Sequence, residues 1–511
     1  MFIRKKKNKS GSISVSIIDK STGKYKLVKT IGSSFDQEQI ELMVLKAKQY
    51  LENQTQQQPL FYSQNDNLIE SFLSTLTNSQ IRTIGPELVF GSVYEHIGFN
   101  KIKEQMFRHL VIARLAYPGS KLKTIDYLLR YQGKYLEISS VYRFLDKLNH
   151  KLKETVEELS FNHTLKRLNN NISVVFYDMT TIYFEASDED DLRKTGFSKD
   201  GKHSHPQIFL GLLVGMDGWP ISYEIYEGNT YEGHTLIPAI QKFEKKFKLN
   251  KPIIVADSGL LSKNNITALE SDSYQYILGS RIKSESSVIK KQMTKSKLED
   301  GKFMTIDKDN GQKLIISYSQ KRANKDKHNR ERGLKRLEKQ IKSGRLTKSN
   351  INNRGYNKYL QMDGEIKISI DYKKYEDDAK WDGLKGYLSN SDLDPKEIIE
   401  NYKYLWHIER AFRISKTDLK IRPIYHRLRS RIEAHICISF AAYSIIKELE
   451  RVLKLAGSNL SVSRAADLTH NLYELEAQMP ESKKIKKFLL KMDKEQQELI
   501  NIIENYSRVS H

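Results

Sequence analysis

A mixed α/β fold is predicted for this chain by three observations. Two apolar runs each end in an acid, Ser173-Val174-Val175-Phe176-Tyr177-Asp178 and Pro252-Ile253-Ile254-Val255-Ala256-Asp257. Their length and their valine and isoleucine content suit strands buried on both faces. Helical patterning fills the chain from 84 to 155 and again after 395. Between about 265 and 395 the pattern turns to alternation, as in Lys313-Leu314-Ile315-Ile316-Ser317-Tyr318, and reads as β-rich. At 511 residues the chain has room for several units with cores of their own.

The elements follow in order. Ile13, Val15 and Ile17 alternate with serines before the turn Lys20-Ser21-Thr22-Gly23, and Tyr25, Leu27 and Val28 begin a return strand. This hairpin and a helix over 36–53 make an N-terminal region, 1–53. A polar, Gln-rich linker follows at 54–66, and a helical, DNA-binding type of region at 67–170. In that region Leu110, Ile112 and Leu115 precede the break Tyr117-Pro118-Gly119-Ser120. A second helix follows, and a third opens at Ser139-Ser140, good N-cap residues. Such helices fit a helix-turn-helix with 139–150 entering the major groove, and fit an ordinary bundle equally well. Strands at 172–178, 208–216, 220–227 and 252–257, with a helix at 235–248, are the opening of a ribonuclease-H-like mixed sheet. That core is assigned to 171–264 and 396–450. The β-rich insertion spans 265–395, with strand-like pieces at 366–371 and 383–389, and C-terminal helices run over 451–511.

Charge narrows the function. The chain has 85 Lys+Arg against 63 Asp+Glu, a formal net charge of +22. Residues 319–348 carry twelve Lys/Arg against three acids, and 401–431 carry nine against two. Clustered excess of this kind favours a polyanion, whose counterions are released on binding. The single cysteine, Cys437, lies in an apolar helical run and excludes an intrachain disulfide framework. Neither a secretory leader nor an apolar run near the ~20 residues of a bilayer span is present. A soluble, cytoplasmic protein with no membrane partner is expected, nucleoid-associated when bound to DNA. No phosphate-binding or dinucleotide glycine motif occurs.

Asp178, Asp257 and Glu409 carry the chemistry. Carboxylates on two buried-type strands and one helix are a way to hold hard divalent cations such as Mg²⁺, and no rival cluster of thiolates and imidazoles exists. Two such ions can activate an oxygen nucleophile and neutralise a phosphodiester. At about 100° per residue, Tyr402, Glu409 and Lys416 fall on one helical face, flanked by Leu405, Trp406, Phe412 and Arg413. The blander alternatives are a strand-end cap for Asp178, a turn-initiating Asp257 before Ser258-Gly259, and a surface Glu409 over packed aromatics. Lys321, Arg322, Lys325 and Arg330 are placed to grip backbone phosphates or to form a solvated face. Trp381 and Trp406 could stack an unpaired base, Trp406 being the better core residue. His203 and His205 read as loop residues.

Tyr402, Glu409 and Lys416 match the Tyr-(2)-Arg-(3)-Glu-(6)-Lys signature of one branch of the insertion-sequence DDE transposases, with Leu405 where that signature has Arg. Tyr177-Asp178-Met179-Thr180-Thr181 and Val255-Ala256-Asp257-Ser258-Gly259 resemble its two aspartate motifs. Gly211-Leu212-Leu213 through Gly228-Asn229, the β-rich insertion, and Arg422-Pro423-Ile424-Tyr425-His426 are similar too. The resemblance covers 170–450. It implies a cut-and-paste enzyme using Mg²⁺ or Mn²⁺, acting as a homodimer on terminal inverted repeats and target DNA. It also implies contacts to the DNA end from Tyr402 and Lys416, with Arg410 or Arg413 in place of the missing arginine. The rivals are a catalytically inactive DNA-binding derivative and a nuclease that never joins strands.

Overall fold

The structure is a computed structural model that describes residues 1–55, 64–148, 151–247, 251–308, 311–363, 367–479 and 482–508. Residues 56–63 of the expected linker, 149–150 of the expected third helix, 248 of the helix expected at 235–248, and residue 366 therefore lie outside the described residues. The chain divides into two units, Met1–Gln80 with Ala477–Lys486, and Ile81–Glu476 with Lys487–His511.

In the first unit the expected hairpin is a three-stranded antiparallel sheet. Ile13–Asp19 is its centre, between Lys26–Ser34 and Phe2–Lys7, so the basic Arg4-Lys5-Lys6-Lys7 lies in an edge strand. Val15 and Ile17 face the helix Gln37–Thr55 through Ile40 and Ala47.

The second unit is built on eight strands: β1 (Val174–Tyr183), β2 (Gln207–Val214), β3 (Pro220–Glu227), β4 (Ile253–Ala256), β5 (Tyr276–Ser280), β6 (Phe303–Asp307), β7 (Lys313–Tyr318) and β8 (Leu384–Ser389). They form one sheet, ordered β6-β7-β8-β5-β4-β1-β2-β3. β1, β2 and β3 make an antiparallel meander, while β4 and β5 run parallel to β1. The helix Leu236–Phe247 joins β3 to β4, and Lys263–Ser271 joins β4 to β5. A 3-2-1-4-5 order with these directions is the ribonuclease-H-like core.

Side chains alternate across a strand. Val175 and Tyr177 of β1 therefore enter the core beneath the helices Leu236–Phe247 and Lys263–Ser271, whereas Val174 and Phe176 enter the larger core on the other face. That second face is covered by Trp406–Arg413 and by the 27-residue helix Arg429–Leu455, buried along most of its length.

Two expectations change. The segment 265–395 is not a separate β-rich body: β5, β8, β7 and β6 extend the core sheet in turn, each hydrogen-bonded to its neighbour. Its own addition is the 23-residue basic helix Gln320–Lys342 and the small hairpin Leu360–Asp363 with Lys367–Ile370. The end of the chain is not wholly helical, since Tyr473–Gln478 and Ile485–Leu489 are strands. Residues Tyr473 to Leu475 pair with Ile81–Thr83, which supplies the ladder partner that a local pattern cannot reveal. The expected recognition helix, Ile138–Leu148, turns Val141, Phe144, Leu145 and Leu148 into the main core, leaving Arg143 and Lys147 outward.

Candidate active site

Asp178 was expected to end its strand but lies in the middle of it. Antiparallel pairing with β2 carries β1 on to Tyr183, whereas parallel pairing with β4 stops at Tyr177 opposite Ala256. Asp178 and Asp257 are thus the next residues in one parallel register. Both continue the alternation of the face that holds Phe176 and Val255. Each carboxylate is steered locally, Asp178 Oδ1 accepting from the Met179 amide at 2.7 Å and Asp257 Oδ1 from the Gly259 amide at 2.7 Å.

Two residues that the sequence reading missed complete this end of the site. Lys199 Nζ lies 3.6 Å from Asp178 Oδ1 and 2.8 Å from Glu232 Oε1, and donates to the Met179 carbonyl at 2.6 Å. Glu232 approaches the Asp257 turn, since a β-carbon on Gly259 would lie 2.9 Å from Asp257 Oδ1 and 3.2 Å from Glu232 Oε2. The only signal in the sequence was an acid between Gly228-Asn229 and Gly233. Lys199 sat in a polar loop without one. Burial pushes the Asp178 carboxyl up to about 6, with Lys199 opposing and the charge of Asp257 adding to the rise. Burial by itself would lower the Lys199 ammonium, but Asp178 and Glu232 hold it above its ordinary value.

Tyr402, Glu409 and Lys416 do not share one straight helix. Pro395–Lys403 ends at a turn, Trp406–Arg413 follows, and Ile414–Asp418 is π-helical. The uniform 100° step fails because the chain tightens to i→i−3 hydrogen bonds through 404–408 and widens to a π-helix at 414. Tyr402 is buried beside the acids: its hydroxyl abuts Gly279 on β5, and its pKa is raised by burial and then by Asp257, Asp178 and Glu409. Glu409 is exposed, on the helix that packs over the Asp178 face through Ile408, Ala411 and Phe412. Among the described residues no three His, Cys, Asp or Glu side chains stand close enough together to hold a metal ion. Asp178 and Asp257 are brought together, and Glu409 stands apart from them.

Lys416 is ion-paired to Asp200 at 3.0 Å, and Arg422 pairs with the same carboxylate. Leu405 is 7% exposed and part of the core. Trp406, expected in the core, is 48% exposed, because the turn at 404–405 rotates it outward. Arg413 is exposed on the same helix.

A cleft of about 630 Å³ begins at Ser258, Gly279 and Tyr402 and is lined with Arg281, Arg322 and Lys385. Lys385 Nζ lies over the Tyr402 ring at 4.4 Å, and the charge of Glu409 acts on it. Lys321 and Lys325 are exposed along the same helix as Arg322, while Arg330 is buried in an ion pair with Asp382 and is structural. His203 accepts from the Ser198 amide and His205 lies 3.9 Å from Glu185, both within the loop.

Strand order and strand-borne carboxylates define this as a ribonuclease-H-like core with an acidic centre beside a basic cleft. Residues 169–445, more than half of the chain, match the sequence model of the transposase DDE domain, and the chain belongs to that family. No curated relative matches it. Among solved structures it is similar to a piggyBac transposase synaptic complex with hairpin DNA, at 9% identity and a TM-score of 0.39, covering 76% of this chain and 78% of that one. It is similar also to a Mos1 mariner paired-end complex with Mn, at 12% identity and TM-score 0.15, covering 31% and 54%. These likenesses are too slight to bear on the fold, which rests on strand order and register. No helix among the described residues is long and apolar enough to cross a membrane.

Proposed function

We propose that the chain is a metal-dependent transposase in which Asp178, Asp257 and Glu409 are the catalytic carboxylates and metal ligands. What carries this reading is the common register and face of Asp178 and Asp257, beneath the helix that bears Glu409. The donor set fits a hard cation: oxygen ligands, with one carboxyl pushed up by burial and a like charge, and a lysine ammonium answering them. Bound Mg²⁺ or Mn²⁺ would supply neutralisation at phosphorus and an activated water or 3′-hydroxyl.

The chain's own groups set the rest. The Met179 and Gly259 amides fix the rotamers of the two aspartates, so the carboxylates are positioned before DNA arrives. Lys199 holds Asp178 and Glu232 in register. Tyr402, kept protonated by its surroundings, is a neutral donor toward phosphate oxygen. Arg322 and Lys385 line the cleft, and Lys321 continues its charge along the basic helix. Arg413 and the exposed face of Trp406 are DNA contacts, Trp406 by stacking a base freed at the cut end. Lys416 serves the end phosphate when it exchanges Asp200 for DNA. The substrate is duplex DNA bearing terminal inverted repeats, bound by a homodimer. Hydrolytic nicking exposes a 3′-hydroxyl, which then attacks target DNA.

The test is nicking of a labelled terminal-repeat duplex, followed by joining to a plasmid target. Mg²⁺ and Mn²⁺ support both steps, and Ca²⁺ supports binding alone. Asp178→Asn and Asp257→Asn bind the duplex at least as tightly as wild type and do not cut it. Metal-dependent cutting by Asp178→Asn at the wild-type rate would overturn the proposed site. Nicking without joined product would leave a nuclease.

A further inference from the structure

The motif Arg422-Pro423-Ile424-Tyr425-His426 has no role in the site described, yet it helps to line a separate cavity of about 610 Å³. Another part of the lining is the segment 117–123, where the helix Lys121–Gln132 begins. The lining holds five lysines and arginines and two histidines, and among the described residues no Asp or Glu.

Burial makes that charge costly. Arg114 is 3% exposed and Lys121 is 4% exposed. Arg114 donates to the Leu419 carbonyl at 3.3 Å and faces His435 Nδ1 at 3.5 Å. His435 Nε2 lies 2.9 Å from the Ile421 carbonyl, so Nε2 carries the hydrogen and Nδ1 is left as an acceptor for Arg114. Lys121 has neither a hydrogen bond nor an ion pair among the described residues. Only burial and repulsion from Arg114 act on it, and both push its pKa down. Of the neighbouring carboxylates, Asp200 pairs with Lys416 and with Arg422 of the lining, and Asp146 with Arg431 and Ser430, so neither answers Arg114 or Lys121. Buried cations without a counter-charge are rare unless a ligand supplies it.

The helix start points the same way. Ser120 caps Lys121–Gln132 by accepting from the Lys123 amide at 3.3 Å. The amides of Lys121 and Leu122 have no partner within the helix, and the dipole adds positive potential there. Backbone amides of a 12-residue helix, a buried ammonium and a buried guanidinium thus meet in one cavity.

We propose that this cavity binds phosphate, and that its occupant is a backbone phosphate of DNA. The DNA half of the proposal rests on the transposase reading. Arg422 connects the cavity to the active site, because its partner Asp200 also holds Lys416 and follows Lys199, which reaches Asp178. The space exceeds that of one phosphate, and Tyr142 and Tyr425 in the lining offer aromatic surface to the attached sugar.

Lys121→Met keeps the side-chain length and removes the charge, and Lys123→Gln alters an exposed lysine of the same lining. Thermal unfolding with millimolar inorganic phosphate, against chloride at equal ionic strength, reads the pocket directly. Phosphate raises the wild-type Tm, leaves that of Lys121→Met unmoved and raises that of Lys123→Gln less. Without phosphate, Lys121→Met is at least as heat-stable as wild type. On duplex DNA the slope of log affinity against log salt becomes shallower by about 0.9 in Lys121→Met, because one phosphate is no longer neutralised. Loss of the phosphate response with an unchanged DNA slope would assign the pocket to free phosphate and overturn the DNA occupant. No phosphate response in wild type, with an unchanged slope, would overturn the pocket altogether. Wild-type protein that binds no DNA would instead defeat the transposase reading, and the phosphate arm would then judge the pocket by itself.

Discussion

A β-carbon on Gly279 would collide with the Tyr402 hydroxyl and lie 3.0 Å from the Ser258 amide. Glycine here lets β5 approach the Asp257 turn closely enough for Tyr402 to reach the acids. Gly279→Ala is expected to lower stability by about 1–3 kcal/mol through overpacking and to slow cleavage by displacing Tyr402. Urea denaturation and the nicking assay read the two effects, and wild-type values in both would show that Tyr402 is not clamped there. The acids were legible in the sequence because charge at the end of an apolar run is costly without a purpose. Lys199 and Glu232 were not, because each sits in a polar segment where charge costs nothing until the chain folds over it.

Helix Gln320–Lys342 exposes Lys321 and Arg322, the latter in the cleft lining, and anchors itself through the Arg330–Asp382 pair. Removing one partner of such a pair leaves a buried charge. Asp382→Ala is therefore expected to cost about 1–3 kcal/mol and to raise amide exchange along 320–342 more than along β1. Uniform exchange in both elements would place the pair's effect on the whole unit and not on this helix. Reversing Lys321 and Arg322 to Glu, at exposed positions, should leave Tm nearly unchanged. The salt slope of DNA binding should become shallower by up to about 0.9 for each phosphate no longer neutralised. An unchanged slope would assign both to a solvated face. The basic run was visible in the sequence, but its division into one anchoring arginine and several exposed cations depends on where Asp382 falls.

Glu448 is fully buried in the long helix Arg429–Leu455, where it receives His163, Arg451 and the Tyr506 hydroxyl and so joins three helices of the second unit. Burial alone would raise its carboxyl, but hydrogen bonds from His163 and Arg451 hold it far below the ordinary carboxylate value of 4.5. A depressed folded-state pKa contributes stability that is complete above the unfolded value and is lost as pH falls through the range below about 4.5. Glu448→Gln should accordingly be less stable at pH 7 and lose less on acidification to pH 3, as read by urea unfolding at each pH. Parallel pH profiles for variant and wild type would show that the network does not titrate with folding.

Apolar runs closed by Asp178 and Asp257, two basic clusters and the change of period at 172 and 395 were set by the sequence alone. Each is a local property, a pattern that a residue's neighbours in the chain are enough to display. Only the tertiary structure decided that 303–307, 313–318 and 384–389 extend the core sheet, because strand pairing joins residues as distant in the chain as Ile277 and Ser389. It decided too that the helix expected through Tyr402, Glu409 and Lys416 breaks at 404–405, where Leu405 is drawn into the core and Trp406 is turned out of it. Periodicity reports which face a residue would take on a straight helix. Which way the backbone turns is settled by what the core requires.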